Sequence, residues 1–369
     1  MTSLSLPLRA RDVLLANCGI PASTKALLGL DGFIDLILHV VKTRTSETSY
    51  ERFTSMSEWG QRIKDAEGLS ANFEFVPQII KLGGNGPIMA NALLAMGFPV
   101  TYIGNLGWPD VHPIFVPFAS RADVISIADP GTTDAVEFDN GKLMLGKYQS
   151  LRDLNWDNIL ERVGLEKLTR VFEQSRFVAL VNWTMIDSMS DIFRHLLDEV
   201  APKLAQRQTI FFDLADPAKR SREDIAEALA LIGEFENFFD VILGLNMGES
   251  RQIGEVLGIP APPQEMEPVR IHACRIREAL NVNTVVIHPI PFAAAANKTD
   301  SAAVAGPHTA HPKITTGAGD HFNAGFCLGQ LLGASLEESL QIAVATSGFY
   351  VRNAQSPSLE DLAGFLSEL

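Results

Sequence analysis

The sequence predicts an α/β fold: a doubly wound, mostly parallel sheet with helices on both faces and a small β-sheet lid. Three observations predict it. Short apolar runs rich in Val, Ile, Leu and Phe recur at 26–30, 99–104, 123–128, 176–182, 209–214, 240–245 and 284–288. Stretches with helical periodicity alternate with them, at 86–97, 187–206, 221–236, 247–257, 264–280, 320–333 and 336–351. Further strand-like stretches fall outside this alternation. Strands that are apolar throughout need cover on both faces, which crossover helices supply.

The first run ends in Gly29-Leu30-Asp31-Gly32-Phe33-Ile34-Asp35, a strand end carrying two acids. Leu36 to Lys42 and Phe73 to Lys81 then read as strands flanking a helix at about 53–66. Ala135 to Phe138 and Lys142 to Tyr148 read as a hairpin about Asp139-Asn140-Gly141, since Asn-Gly is a tight-turn signal. These strands form the expected lid, inserted at about 36–43, 73–82 and 134–148. The connection from 43 to 72 is long for a lid. No linker rich in Pro, Gly or Ser separates lid from body, so a single domain is expected over 1–369.

Of the 369 residues 46% are hydrophobic and 20% charged, a globular composition. The net charge of −14 argues against a broad nucleic-acid footprint or an anionic membrane surface as partner. Cys18, Cys274 and Cys327 lie far apart without a CxxC, so a reducing cytoplasm is the expected setting. No apolar run reaches the roughly 18 residues of a membrane span. The longest, Val285 to Ala296, is broken by His288, Pro289 and Pro291. Residues 1–20 lack the apolar centre of a signal peptide. GxxxxGK[ST], HExxH and GxSxG are absent, and a third Gly is missing after Gly84 and Gly86, which excludes a dinucleotide loop.

The richest segment is Ile314-Thr315-Thr316-Gly317-Ala318-Gly319-Asp320-His321-Phe322-Asn323-Ala324-Gly325-Phe326. Small residues precede an amphipathic helix that starts near Asp320. Small residues admit a ligand close to the backbone, and a helix start offers free N–H groups to an anion. An acid beside such a cradle is placed to take a proton from a hydroxyl during phosphoryl transfer. A plain helix cap explains the acid alone equally well.

This segment resembles the C-terminal signature of the PfkB carbohydrate kinases, within the ribokinase-like superfamily. Gly83-Gly84-Asn85-Gly86-Pro87, opening an Ala/Leu-rich helix, is similar to that family's N-terminal signature. Asn246-Met247-Gly248-Glu249 resembles its NxxE motif, although an N-terminal capping box has the same spacing. Phe212 to Arg220 resembles its strand-end DPNxR region, with no role assigned to Asp213 or Asp216.

The resemblance covers about residues 26 to 360. It implies ATP-dependent phosphorylation of a hydroxyl on a small sugar or polyol, with Mg²⁺. By it, Asp320 is the catalytic base, and Gly317, Ala318 and Gly319 form the anion hole. Asp35, or Asp31 as the second match, holds the acceptor with Gly83, Gly84 and Asn85. Asn246, Thr316 and Gly319 face the nucleotide, and Glu249 reaches Mg²⁺ through water. It adds a candidate monovalent-cation site near Ser347 to Asn353 and a candidate homodimer through the lid. The chain departs from the family at Ile88, where an Asn is usual, with Asn85 and Asn91 as the nearest alternatives. Ile314 stands where an acid often opens the signature, and His288-Pro289-Ile290-Pro291 replaces a Gly-containing turn beside the nucleotide. The alternatives are a nucleoside kinase, with Phe33 or Trp108 stacking on a base, and a sugar-binding protein without turnover.

Overall fold

The computed structural model describes residues 4–369. Fourteen strands form two sheets. In chain order they are β1 (Ala26–Leu30), β2 (Phe33–Arg44), β3 (Tyr50–Arg52), β4 (Phe75–Gly83), β5 (Val100–Gly104), β6 (Asp123–Ser126) and β7 (Gly131–Phe138). Then follow β8 (Gly141–Lys147), β9 (Phe177–Val181), β10 (Gln208–Asp213), β11 (Phe239–Leu245), β12 (Thr284–Ile287), β13 (Phe292–Asn297) and β14 (Ser301–Ala305). Four helices matter for the site: α1 (Asn85–Ala95), α2 (Met247–Val256), α3 (Ala318–Leu331) and α4 (Leu336–Asn353).

The large sheet runs β14-β13-β12-β11-β10-β9-β1-β5-β6. It is parallel from β12 to β6, and β13 and β14 add an antiparallel hairpin at one edge. Its central strands alternate strictly between two cores. Leu27, Val178, Leu180, Ile210 and Phe212 face one side, while Leu28, Phe177, Ala179, Val181 and Phe211 face the other. Period-two side-chain geometry thus turns continuous apolar runs into two hydrophobic cores, one under each helical layer.

The seven expected core strands are all present. The hairpin β13–β14 was not expected, because Phe292-Ala293-Ala294-Ala295-Ala296 has little β propensity. Burial against the sheet edge decides its state instead, with Ala293, Ala294 and Ala295 fully buried. The helix expected over 187–206 ends at His195 and continues as a π turn, Leu196–Val200, and a 3₁₀ turn, Ala201–Lys203. Pro202 explains the stop. Helices at Leu6–Ala16, Trp156–Arg162, Leu165–Gln174 and Leu359–Glu368 were also unassigned by periodicity.

The small sheet has the order β3-β2-β7-β8, with β4 on the free edge of β2. Its strands begin lower than the sequence suggests, since β2 starts at Phe33, two residues after Asp31. Phe33 pairs with Gly83 of β4 and with Gly131 of β7, so the lid leaves the body through one cross-strand row. A third apolar cluster of Leu38, Val40, Phe53, Trp59, Val136 and Phe138 holds the lid together. The long 43–72 connection supplies β3 and the helix Met56–Lys64, whose Trp59 enters this cluster. Asn140 in the hairpin turn accepts from the Met56 N–H at 3.0 Å, which fastens the turn to that helix.

Candidate active site

The end of β1, the start of α1, the end of β10, the start of α2 and the start of α3 converge at the carboxyl edge of the large sheet, where ligands of such sheets bind. Asp31 is fully buried there. It accepts from the N–H groups of Asn85 (2.9 Å) and Gly86 (2.8 Å) and from Asn182 Nδ2 (2.8 Å). It therefore caps α1 from outside the helix and occupies its first free amides. Burial still pushes its carboxyl up to about 6 against those donors.

Asp35 behaves differently. It lies on β2 over Gly83, where any Cβ would run into the Asp35 carboxylate. Burial raises its pKa, opposed by the charge of Lys81, by Thr133 and by the charge of Lys142. Asp35 thus keeps most of its acceptor capacity, whereas three donors already lie on Asp31. The two acids, ranked Asp35 then Asp31 by the sequence resemblance, differ in how far their oxygens are already occupied.

Gly317 opens α3 at φ +90°, a conformation costly for any residue with a side chain. The Ala318 N–H turns back to the Thr315 carbonyl at 3.2 Å, and the His321 N–H reaches the Gly317 carbonyl at 3.1 Å. Among the described residues, the N–H groups of Gly319 and Asp320 have no carbonyl partner. The cradle thus extends onto Asp320 itself, and the Ala318 amide is turned partly away from it. The Asp320 carboxyl is buried and accepts from Asn85 Nδ2 at 2.9 Å. Burial lifts it to about 7; Asn85 opposes the rise, and Asp31 and Glu249 add repulsion. A carboxylate tuned near neutrality suits a general base.

Behind it stand two more buried acids. Asp213, at the end of β10, accepts from the Ala215 N–H (2.9 Å) and Asn323 Nδ2 (2.8 Å). Burial, then Glu249 and Asp320, push it well above the usual carboxylate range. Glu249 accepts from the N–H groups of Asn246 (2.7 Å) and Asp216 (3.0 Å), while Asn246 Oδ1 takes the Glu249 N–H (3.0 Å). The capping box is therefore real, and it points the carboxylate inward. Such a concentration of buried like charge calls for protons or a cation. Among the described residues no set of three or more His, Cys, Asp or Glu side chains forms a metal cage. A lone inward carboxylate such as Glu249 suits a hydrated divalent cation, which leans on one or two carboxylates and on phosphate oxygens.

A cavity of about 470 Å³ adjoins the cradle, lined by Asn246, His288, Thr315, Gly319, Phe322 and Ser347 among others. His288 packs against Phe322 at 4.7 Å between ring centroids, and burial lowers it to about 4, so it is neutral. Pro289 and Ile290 line the cavity, and the Pro289–Pro291 turn offers few N–H donors.

Sequence reasoning assigned no role to His321 or Tyr350. His321 Nδ1 donates to the Gly317 carbonyl at 2.7 Å and Nε2 accepts from Ser356 Oγ at 2.9 Å. Tyr350 stacks on that imidazole at 3.5 Å, and its hydroxyl donates to the Thr316 carbonyl at 2.9 Å. Together they brace the cradle from behind. Asn91 turns away to Arg121, which leaves Asn85 as the amide in the site. Phe33 packs edge-on against Tyr148 in the core, and the Trp108 ring carries the Arg162 guanidinium at 4.4 Å.

The residues near Ser347 to Asn353 do not fit a monovalent cation. Arg352 donates to the carbonyls of Gly348 (2.7 Å), His308 (2.6 Å) and Pro307 (3.3 Å). The Val351 carbonyl takes the Lys313 N–H at 2.8 Å. A guanidinium already lies on these oxygens, and Ile314 supplies no acid.

This architecture is that of the ribokinase-like sugar kinases. Arabidopsis thaliana ribokinase, complexed with ribose and ATP, matches with a TM-score of 0.64 at 16% identity, over 94% of this chain and 99% of that one. Phosphofructokinase-2 from Escherichia coli matches with a TM-score of 0.65 at 15% identity, over 94% and 99%. A family model described as prokaryotic ketohexokinase matches residues 10–369. A ketohexokinase from Haloferax volcanii is 31% identical over 347 residues, covering 93% of this chain and 91% of that protein. The chain belongs to the prokaryotic ketohexokinase family, a PfkB-type group. It is an ATP-dependent carbohydrate kinase with a hydroxyl acceptor. Among the described residues no helix is long and apolar enough to cross a membrane.

Proposed function

We propose that the acceptor is a ketohexose and that Asp320 is the base. The observation that carries this reading is the Asp320 carboxyl, tuned to about 7, beside unpartnered amides at the start of α3. The acceptor lies between Asp35 and Asp320. Its hydroxyl loses a proton to Asp320 as its oxygen bonds to the γ-phosphorus and the bond to the ADP oxygen breaks. The amides of Gly319 and Asp320 hold the developing charge, and Gly317 leaves room for it to approach the backbone. Asn246, Thr316 and Gly319 flank the nucleotide, and Gly83 and Gly84 let the sugar approach main chain.

Mg²⁺, when bound, neutralises phosphate charge. Glu249 would hold it through water, because each of its oxygens gives one lone pair to a backbone N–H and keeps another. The lid exposes Ile79 and Met144 on one face and Ile80 and Leu145 on the other, apolar surface suited to a second lid in a homodimer. Lid and body act as one domain over 1–369.

ADP release across a panel of ketohexoses, aldoses, polyols and nucleosides tests the reading. Ketohexoses should lead by at least tenfold in kcat/KM. A nucleoside leading the panel would replace it with the nucleoside-kinase alternative, which rests on fold alone.

A further inference from the structure

We propose that a second cavity, behind the start of α3, is an inhibitory site for a small phosphate dianion, which slows phosphoryl transfer by taking the Ser356 hydroxyl away from His321. The inference rests on the reading of the start of α3 as a phosphoryl cradle given above.

The first turn of α3 and the last turns of α4 form a wall between two cavities. Ala318, Gly319 and Phe322 of α3, with Ser347 and Val351 of α4, face the nucleotide cavity. His321 and Tyr350 face the other way, into a cavity of about 460 Å³ that shares no lining residue with the first. Across it stand Lys81 of β4, Asn91 of α1 and Arg121. No acid lines it, although the chain has 44 acids against 30 Lys and Arg. Arg121 bonds the Asn91 side chain. Neither Arg121 nor Lys81 forms an ion pair among the described residues; Asp35, the cross-strand partner of Lys81, feels its charge from further off. Two cations, an amide and a hydroxyl around one opening, with no counter-charge, fit an anion of several oxygens. A phosphate dianion, free or carried by a sugar, has that chemistry.

The inner wall of this cavity holds the cradle. His321 Nδ1–H donates to the Gly317 carbonyl, and Nε2 accepts the Ser356 hydroxyl proton. The Gly317 carbonyl and the Ala318 N–H share one peptide plane, so His321 fixes how the chain enters α3. Burial lowers His321 to about 4, so the neutral ring has one proton to place. Ser356 lines the cavity and also has one proton to give. Given to an anion, it leaves Nε2 bare, and the tautomer that holds Gly317 loses the partner that selects it. The ring proton then passes from Nδ1 to Nε2 by way of cavity water: an Nε2–H bond forms as the Nδ1–H bond is lost, and net charge is unchanged. Nδ1 now turns a lone pair to the Gly317 carbonyl, and the turn ahead of the Gly319 and Asp320 amides loosens. His321 is a positioning residue in this scheme, and the anion acts through it.

Inorganic phosphate and glucose 6-phosphate, with chloride as the ionic-strength control, are titrated against the full chain turning over fructose and ATP. Phosphate should lower kcat several-fold at saturating sugar and ATP and leave both KM values within about twofold, and chloride should do neither. The anion that acts at the lower concentration identifies the source. Arg121→Gln should keep the wild-type kcat in the absence of phosphate and need at least tenfold more of it for the same inhibition, with Arg121→Lys in between. Ser356→Ala should be slow from the outset and indifferent to phosphate. Inhibition competitive with fructose would overturn the proposal by placing the anion on the acceptor, and competition with ATP would place it in the cradle. Equal inhibition of wild type and Arg121→Gln would overturn it as well. Thermal melts without nucleotide give a readout free of turnover: phosphate should raise the Tm of wild type more than that of Arg121→Gln. Such stabilisation without any fall in kcat would show a site that does not reach the cradle, and the proposal would fail. Asp320→Asn serves as the control: if it keeps turnover, the base assignment fails by itself.

Discussion

Asn85 and Asp320 are 235 positions apart in the chain, and the amide of one donates to the carboxylate of the other at 2.9 Å. This bond joins the start of α1, on the acceptor side, to the start of α3, on the phosphate side. It also favours the charged form of an acid that burial pushes up to about 7. Asn85→Ala removes that support. The acid limb of the kcat/KM profile should then move to higher pH, and activity at pH 6.5 should fall more than at pH 8.5.

Wild-type kcat/KM should drop as pH falls through about 7, because Asp320 is protonated below that value. Asp320→Asn should cost about 10²–10⁴-fold in kcat while ADP still stabilises the protein. The same variant should melt higher than wild type at pH 8. A buried acid with a raised folded pKa favours folding at low pH and loses that contribution between the ordinary value near 3.8 and about 7. Each pKa unit is worth about 1.4 kcal/mol, so the gain should be a few kcal/mol at pH 8 and should shrink toward pH 4 in thermal melts.

The two acids after β1 should separate by readout. Asp31→Ala strands the α1 amides and Asn182, at a cost of about 1–3 kcal/mol for each buried group left unpaired. Its denaturation midpoint should fall clearly. Asp35→Ala should leave the midpoint nearly unchanged and raise sugar KM at least tenfold. The reverse pattern would exchange their roles.

Arg352 occupies the carbonyls around Gly348 and Pro307. Steady-state rates in potassium, sodium and tetramethylammonium salts at equal ionic strength should therefore agree within about twofold. Strong activation by potassium alone would show that the guanidinium yields those oxygens.

A second lid laid over Ile80 and Leu145, on the face away from Asp35, would be lost on Ile80→Glu. Light scattering should show a dimer for wild type and a monomer for the variant. A wild-type monomer would remove the lid-to-lid reading.

Much of the fold was legible because both periodicities were strong. All seven core strands stood out as continuous Val/Ile/Leu/Phe runs, and Asp320 was marked by the small residues before it. What stayed hidden depends on context. The Ala-rich β13 carries no β signal of its own. The sequence ranks Asp35 ahead of Asp31 by register alone, and nothing local to either acid shows that Asp31 caps α1. Lys142 sits in an ordinary hairpin, and no local feature of that hairpin shows that its ammonium crosses to Thr316. His321 follows the base directly, yet its task of gripping the Gly317 carbonyl is set by a tertiary stack with Tyr350.

The row of Gly83, Phe33 and Gly131 has a mechanical meaning. Everything outward of it can swing as a flap on a single axle, and a point close to an axle travels little while the rim travels far. Asp35 is two residues from that axle and Lys142 rides nearer the rim. Asp35 therefore keeps its place over the body however the flap sits, while the reach of Lys142 to Thr316 is as sensitive to the flap's attitude as a pointer's tip is to the turn of its pivot.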